Sequence, residues 1–271
     1  MDLASYYLGL SYKRLSLVSN NQGKTKGSRA LLSAEGRRLL SLLNGRPLTN
    51  GDITKDGNGR PFFHGLQADF NISHSGNMVA VSFVRAAENQ GEKQRTGCDI
   101  ELVRPRANIK EIAEEFFSAS EREYIPQDGN QHSLTRFYEI WTLKECFLKL
   151  RGLSVFEMRN APSFICDNGH FTFGAAVSSP LTFYVYELSS NEGEHYLLAS
   201  AIEGNAGDPE PLPEIRWFSH SETLFPTDTL FPTDTLFPMP PPALPPPFLS
   251  VRSIAVIKAP PSPAETVRPK M

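Results

Sequence analysis

Alternating and helical patterns of apolar residues divide residues 1–204 into short strands and longer helices. Side chains alternate between the two faces of a strand, whereas on a helix they return to one face every three or four residues. These rules predict strands at Tyr6–Leu10, Phe70–Ile72, Met78–Val84, Thr96–Leu102, Phe164–Cys166, Leu181–Leu188 and Tyr196–Ile202. They predict helices at Arg29–Leu43, Ile109–Phe117 and Leu134–Leu150. Ser118 and Glu121 have the spacing of a capping box, which indicates a further helix start.

These elements occur in two successive groups, each of which contains both strands and helices. The pattern therefore predicts an α/β fold of the mixed α+β kind. We expect two similar α/β halves, residues 1–103 and 104–204, in a pseudo-twofold arrangement.

The composition changes after Gly204, because 16 of the 22 prolines lie beyond it. Residues 223–238 repeat the hexapeptide TLFPTD, and two runs of three prolines follow. Proline lacks the backbone N–H group and has a fixed φ, so it interrupts ordinary helices and sheets. We expect residues 205–271 to form a Pro-rich, repeat-containing tail that is largely disordered.

The net charge of −3 gives no reason to expect nucleic acid as a partner. The charge is uneven, however, since residues 1–60 contain ten Lys or Arg but only four Asp or Glu. This local excess could meet a phosphate-rich ligand or an acidic protein, although a solvated surface is the more ordinary explanation.

The three cysteines, Cys98, Cys146 and Cys166, form no CxxC pair and are odd in number, which favours a reducing compartment. Residues 1–5 do not begin a signal peptide, and no apolar stretch is long enough to cross a membrane. We therefore expect a cytoplasmic protein that does not bind membranes, and we expect a monomer.

Two carboxylates stand close together in the segment Gly97-Cys98-Asp99-Ile100-Glu101. On a strand, Asp99 and Glu101 project from the same face. Their mutual repulsion is relieved if a hard cation such as Mg²⁺ or Mn²⁺ lies between them. Alone, this pattern is more typical of a solvent-facing strand edge.

The helix at Leu134–Leu150 carries Glu145 and Lys149 four residues apart, so these side chains share one face. They could supply a third carboxylate and a phosphate contact, although such pairs are common on protein surfaces. The bulky neighbours Trp141 and Phe147 indicate that this helix is substantially buried.

A short strand runs into a polar turn at Ser73-His74-Ser75-Gly76. Hydroxyl, imidazole and N–H groups at a strand end suit phosphate binding, although this fragment alone fits a hairpin corner slightly better. Upstream, Arg60 lies in the stiff sequence Gly59-Arg60-Pro61 and could reach the same ligand.

Taken together, these motifs resemble the 4′-phosphopantetheinyl transferase family in its larger, surfactin-type branch, over about residues 1–204. The matching segments are Arg60-Pro61, Phe70–Ser75, Gly97–Glu101, Phe116-Phe117-Ser118 with Glu121, and Trp141–Lys149. Cys98 and Cys146 replace residues that are usually branched or small in the family. Both replacements are small and apolar, so they are compatible with the chemistry.

The resemblance implies a role for each matched residue. It implies that Asp99, Glu101 and Glu145 bind Mg²⁺, with Mn²⁺ as an alternative. It implies that coenzyme A is the co-substrate, and that its phosphates contact Arg29, Arg60, Ser73, His74 and Lys149. Asp99, Glu145 and Lys149 would then be the catalytic residues.

The reaction implied is transfer of the phosphopantetheine arm from coenzyme A to a serine of an acidic apo-carrier protein. Glu145 or a metal-bound water would take the serine proton, with Glu121 as a weaker candidate. The carrier remains open among those of fatty-acid, polyketide, nonribosomal-peptide and lysine biosynthesis.

Three alternatives remain at this stage. The fold could bind coenzyme A or a carrier without turnover, although all three acids and Lys149 are present. The protein could act as an interaction module through its Pro-rich tail. A different magnesium-dependent phosphotransferase is also open, but no P-loop or kinase motif set supports it.

Overall fold

A computed structural model describes residues 5–12, 26–49, 51–85, 94–167, 170–177, 179–190, 193–204, 213–218 and 249–259. The first elements are β1 (Ser5–Tyr12), α1 (Lys26–Asn44), β2 (Ile53–Lys55), β3 (Pro61–Phe63), β4 (Ala68–Ser75), β5 (Met78–Arg85) and β6 (Arg95–Leu102). Three helices follow, α2 (Ile109–Phe116), α3 (Ala119–Glu123) and α4 (Gln131–Arg151), and then a 3₁₀ helix (Val155–Asn160). The last elements are β7 (Phe164–Asp167), β8 (His170–Phe173), β9 (Leu181–Ser190), β10 (His195–Glu203), β11 (Glu214–Trp217) and β12 (Leu249–Lys258).

Two four-stranded sheets organise the described residues, with strand orders β11-β1-β5-β4 and β12-β9-β10-β6. Helix α1 packs on the outer face of the first sheet and α4 on the outer face of the second. The inner faces of the two sheets share a third core cluster, which includes Leu8, Leu10, Ile100 and Leu198. This arrangement confirms the predicted α+β class, with one sheet and one long helix in each half.

Strand β6 shows that the two halves are not divided simply by position in the sequence. It lies within residues 1–103, yet it pairs with β10 and forms the edge of the second sheet. The reason is that alternation predicts a strand without indicating which partner will accept its hydrogen bonds. The β2–β3 hairpin was also not predicted, because its strands are only three residues long.

Buried apolar residues and capping residues account for the helices. Buried leucines line one side of α1, among them Leu32, Leu39 and Leu43. The Asn130 side chain caps the start of α4, and Gly152 ends it in the left-handed region with φ of 71°. The predicted capping box of Ser118 and Glu121 is present at α3. Within the described ranges, no helix is long and apolar enough to span a membrane.

The predicted disordered tail needs a correction in two segments. Strand β11 pairs in parallel with β1, and β12 pairs with β9, so residues beyond 204 complete both sheets. Their apolar side chains Trp217, Phe218 and Ile257 are buried, and this burial stabilises strands within a proline-rich stretch. The hexapeptide repeat lies outside the described residues.

Shortening the chain after Gly204 is expected to lower the free energy of unfolding by about 5 kcal/mol, because three large buried side chains are lost. A chain that ends at Ala259 keeps both strands and serves as the matched control. Urea denaturation of both chains beside the full-length protein measures the difference. If the chain ending at Gly204 unfolded at the urea midpoint of the full-length protein, the structural contribution of β11 and β12 would be refuted.

Candidate active site

The two sheets meet along a seam between their edge strands β4 and β6. Polar side chains at alternate positions of β4 accept hydrogen bonds from alternate backbone N–H groups of β6. The pairs are Thr96 to Asp69 at 2.9 Å, Cys98 to Asn71 at 3.4 Å, Ile100 to Ser73 at 3.2 Å and Leu102 to Ser75 at 3.1 Å. Side chains of β4 therefore provide hydrogen-bond partners for backbone N–H groups at the free edge of β6. They also fix the register of β4 against β6.

Asp99 is the centre of the candidate site. Its Oδ1 atom accepts hydrogen bonds from Ser73 Oγ at 2.9 Å and from Lys149 Nζ at 2.6 Å. Lys149 Nζ also donates to Ser73 Oγ at 2.9 Å. Side chains from β4, β6 and α4 therefore form one hydrogen-bonded cluster, although Ser73 and Lys149 are 76 residues apart.

Glu101 lies two residues farther along β6 and is half-buried. Its Oε2 atom accepts a hydrogen bond from Ser75 Oγ at 2.8 Å. Burial, and then the neighbouring Asp99 carboxylate, raise the pKa of Glu101, although Ser75 and Lys149 act in the opposite direction. The second carboxylate of β6 is thus held by the same seam as the first.

Glu145 completes the acidic group from one turn earlier on α4 than Lys149. Burial, and then repulsion from Asp99, raise its pKa to about 7, with a smaller contribution from Glu101. Burial lowers the pKa of Lys149, but the charges of Asp99 and Glu145 outweigh burial, so the pKa of Lys149 is raised. One protonated lysine therefore faces three carboxyl groups.

The close approach of α4 to β6 depends on Gly97. A Cβ atom at this position would lie 2.6 Å from the carbonyl oxygen of Cys146 and 2.9 Å from the backbone nitrogen of Leu150. Only glycine lets the backbone of α4 come this near the strand. Gly97 and the fully buried Cys146 thereby place Glu145 and Lys149 beside Asp99.

The donor set fits a hard cation, although no finished metal site is present in the described part of the chain. Asp99 Oδ2 is buried and has no hydrogen-bond partner among the described residues. Oxygen donors from Asp99, Glu101 and Glu145 are the ligand type that Mg²⁺ prefers. Across the described ranges, however, no three His, Cys, Asp or Glu side chains are gathered closely enough to hold a metal ion. Lys149 and Ser73 occupy Asp99 Oδ1, so the ligand set stays a prediction.

Ser73 and His74 are separated by the strand that carries them. Ser73 faces the seam, whereas His74 lies on the opposite face of β4 with Phe70 and Ile72. That face packs on α1, since a Cβ atom added to Gly36 would lie 2.6 Å from Ile72 Cγ2. Ser73 and His74, both predicted to contact phosphate, therefore lie on opposite sides of β4. The side chain of Arg29, in the first turns of α1, lies outside the described residues.

Arg60 does not face a ligand space, contrary to its predicted role. Its side chain is only 4% exposed and forms a two-pronged ion pair with Asp69, at 2.9 Å and 2.6 Å. The Arg60 Nε atom donates to the carbonyl oxygen of Lys149 at 3.1 Å, and Nη2 donates to that of Thr96 at 2.9 Å. A guanidinium whose nitrogen atoms are all engaged inside the protein is a structural group here.

Glu121 is likewise unsuited to accept the serine proton. It is fully buried, and both of its carboxylate oxygens accept hydrogen bonds from Lys144 Nζ at 3.2 Å. The backbone N–H groups of Ser118 and Phe164 also donate to it. These four hydrogen bonds from three donor groups make Glu121 part of the structural support that joins α3, α4 and β7.

Asp69 supports the site although sequence reasoning assigned it no role. Ser75, expected in a phosphate-binding turn, instead bonds Glu101 and the backbone of Leu102. Asp69 and Ser75 belong to the alternating polar series of β4, which also contains Asn71 and Ser73. Every second residue from 69 to 75 is polar in the sequence, and that alternation was the available signal. This alternation indicated a polar face on β4. The apolar pattern alone predicted only Phe70–Ile72 of that strand, which extends over Ala68–Ser75.

Comparisons with known proteins point to one family. The model of the 4′-phosphopantetheinyl transferase superfamily matches residues 95–199. The chain is 33% identical over 136 residues to the 4′-phosphopantetheinyl transferase AcpT of Salmonella typhi, which covers 48% of this chain and 67% of the relative. It is 37% identical over 94 residues to AcpT of Escherichia coli K12, covering 35% and 45%. It is 36% identical over 95 residues to the 4′-phosphopantetheinyl transferase Sfp of Bacillus subtilis 168, covering 35% and 38%.

Proposed function

Because this chain belongs to the 4′-phosphopantetheinyl transferase superfamily, we propose that it moves the 4′-phosphopantetheine arm of coenzyme A onto a serine of an apo-carrier protein. The serine oxygen attacks the phosphorus atom nearest the pantetheine. The bond from that phosphorus to the bridging pyrophosphate oxygen breaks. The products are the holo-carrier protein and adenosine 3′,5′-bisphosphate.

One observation carries the proposal, namely the cluster in which Lys149 and Ser73 both bind the Asp99 carboxylate. Glu101 and Glu145 lie beside this cluster, so the site combines the ammonium group of a single lysine with three carboxyl groups. Such a set suits a pyrophosphate group accompanied by a cation, because each charge then has an opposite partner. Binding without turnover would use the same side chains, and a transfer assay distinguishes the two functions.

Asp99, Glu101 and Glu145 would hold Mg²⁺, with Mn²⁺ as the alternative ion. The unpaired Oδ2 atom of Asp99 and the mutual repulsion of the carboxylates support this set. When bound, the cation offsets negative charge on the pyrophosphate and on the leaving group.

Lys149 would bind the phosphoryl oxygens on which charge increases during transfer. Its raised pKa keeps the ammonium group protonated at neutral pH. Because Nζ already lies 2.6 Å from Asp99 and 2.9 Å from Ser73, the ammonium group is held in place before the substrate arrives. Preorganised donors of this kind need no rearrangement at the moment of reaction.

Glu145 is the proposed acceptor of the serine proton. Without a bound cation, burial and repulsion raise its pKa to about 7, and a bound cation would lower that pKa, so that the carboxylate is ionised at neutral pH. It also releases its proton readily, which suits a general base. Glu121 is withdrawn from this role because its oxygens are already engaged.

The nucleotide end of coenzyme A would lie toward α1. His74 is on the face of β4 that packs on this helix, and Arg29 belongs to its first turns. The basic excess within residues 1–60 suits both the nucleotide phosphates and an acidic carrier surface.

The full-length protein, incubated with Mg²⁺ and coenzyme A, is expected to add the mass of the phosphopantetheine arm to at least one apo-carrier from a panel. Intact-protein mass spectrometry measures the addition, and a carrier whose acceptor serine is replaced by alanine is the control. Absence of the added mass across acyl, peptidyl and aryl carriers would refute the enzymatic function. It would favour binding without turnover if calorimetry still detected coenzyme A.

A further inference from the structure

Arg60 and Asp69 form a deeply buried ion pair near the candidate site. Their side chains are 4% and 1% exposed, and both carboxylate oxygens of Asp69 are engaged by Arg60. Asp69 Oδ2 also accepts a hydrogen bond from the backbone nitrogen of Thr96 at 2.9 Å. A buried charge pair persists when nearly every donor and acceptor is satisfied, as here.

The remaining Arg60 donors reach the two elements that form the site. Nη2 donates to the Thr96 carbonyl at 2.9 Å, three residues before Asp99 on β6. Nε donates to the carbonyl of Lys149 itself at 3.1 Å. That carbonyl belongs to the last turn of α4, where it also accepts a hydrogen bond from the Gly152 backbone N–H at 3.3 Å, and carbonyl oxygens at this end of a helix attract cations.

The aliphatic part of Arg60 also fits the end of α4. Gly152 ends the helix with φ of 71°, and a Cβ atom added there would lie 3.2 Å from Arg60 Cβ and 3.3 Å from Arg60 Cδ. The Arg60 side chain therefore fills the space beside Gly152 at the end of α4. Packing and hydrogen bonding together fix the last turn of α4 against β4 and β6.

From these contacts we propose that Arg60, held by Asp69, is a positioning residue that sets Lys149 in register with Asp99. The inference rests on the proposed transferase function, and it replaces the expected contact between Arg60 and coenzyme A. The 2.6 Å contact of Lys149 Nζ with Asp99 requires that α4 neither slides nor rotates on β6. The bond from Arg60 to the Lys149 carbonyl restrains both movements.

Three variants of the full-length chain test this role. Arg60→Lys keeps the charge but cannot reach Asp69, Thr96 and Lys149 at once. Asp69→Asn leaves Arg60 in place but weakens the group that holds it. The double variant Arg60→Met with Asp69→Leu removes both charges, so that neither is left buried without a partner.

Each variant that folds is expected to lower kcat by about ten- to a hundredfold, because small displacements of a catalytic group have effects of this size. The KM for coenzyme A should stay within about twofold of the wild-type value, since Arg60 does not touch the ligand. Thermal melts establish which variants are folded. The double variant is the decisive one, because a purely structural ion pair would leave its kcat unchanged.

Two results would overturn the inference. One is wild-type kcat in the folded double variant. The other is an increase of about tenfold in KM for coenzyme A that occurs in Arg60→Lys but not in Asp69→Asn. An inactive wild-type protein would instead refute the transferase function. Calorimetric titration of coenzyme A would then decide the role of Arg60, since a loss of affinity confined to Arg60→Lys means direct contact.

Discussion

Replacement of Asp99 by asparagine is expected to lower the rate of transfer by about a thousandfold, the largest effect of any single change. Asparagine keeps the shape of the side chain, and its oxygen can still accept hydrogen bonds from Ser73 and Lys149. The negative charge is lost, and with it the proposed central ligand for the cation. Transfer is measured by the appearance of holo-carrier protein at saturating Mg²⁺.

The fold is expected to survive this change, because a neutral amide is easier to bury than a carboxylate. Glu123→Gln, at an exposed position on α3, is the matched control and should transfer at the wild-type rate. Unchanged transfer by a folded Asp99→Asn protein would contradict the assignment of Asp99.

Replacement of Lys149 by methionine is expected to lower kcat by about a hundred- to a thousandfold, as is usual when a donor to the transition state is removed. Methionine fills similar space, so the loss reports the charge rather than the packing. Lys55→Met, on the exposed side of β2, is the matched control. Steady-state kinetics with both substrates varied measure the effect.

The two replacements differ in their effect on metal binding. Lys149→Met removes a positive charge from beside the carboxylates, so divalent-ion binding should persist in this variant. The assigned role of Lys149 would be wrong if kcat remained within about threefold of the wild-type value. The comparison separates the group proposed to stabilise charge during transfer from the groups proposed to hold the ion.

Alternation along β6 and helical spacing along α4 predicted which side chains share a face, and the resemblance to a family joined the two pairs into one site. Asp99 with Glu101, and Glu145 with Lys149, each share a face for simple geometric reasons. The structure brings these two faces together, with Ser73 between them. Gly97 and Cys146 permit this close approach because both residues are small, although the sequence alone did not show that they face each other.

The role of Arg60 could not be derived in the same way. An arginine in a Gly-Arg-Pro turn is equally suited to a phosphate and to a buried carboxylate. The choice depends on Asp69, which is nine residues away on β4, and on carbonyl groups that no sequence pattern marks. The partner of Arg60, a phosphate or a carboxylate, therefore depends on which groups are buried beside it in the folded chain.

The strands beyond residue 204 were missed for a related reason. Proline content argues against a regular structure of its own, yet β11 and β12 each gain hydrogen bonds from a sheet that already exists. Local composition describes the segment alone, whereas strand pairing depends on the edge that is offered to it. The alternating segment at 249–258 contained a weak strand signal that the neighbouring prolines obscured.

The central claim is that Asp99, Glu101 and Glu145 form one divalent-cation site at which coenzyme A reacts. Its most direct test is titration of the full-length protein with Mn²⁺ at saturating coenzyme A, in which free Mn²⁺ is followed by electron paramagnetic resonance. The account expects one tight site in the wild-type protein and a loss of affinity of about a hundredfold in Asp99→Asn, Glu101→Gln and Glu145→Gln. Equal Mn²⁺ affinity in the wild-type protein and all three variants would contradict it.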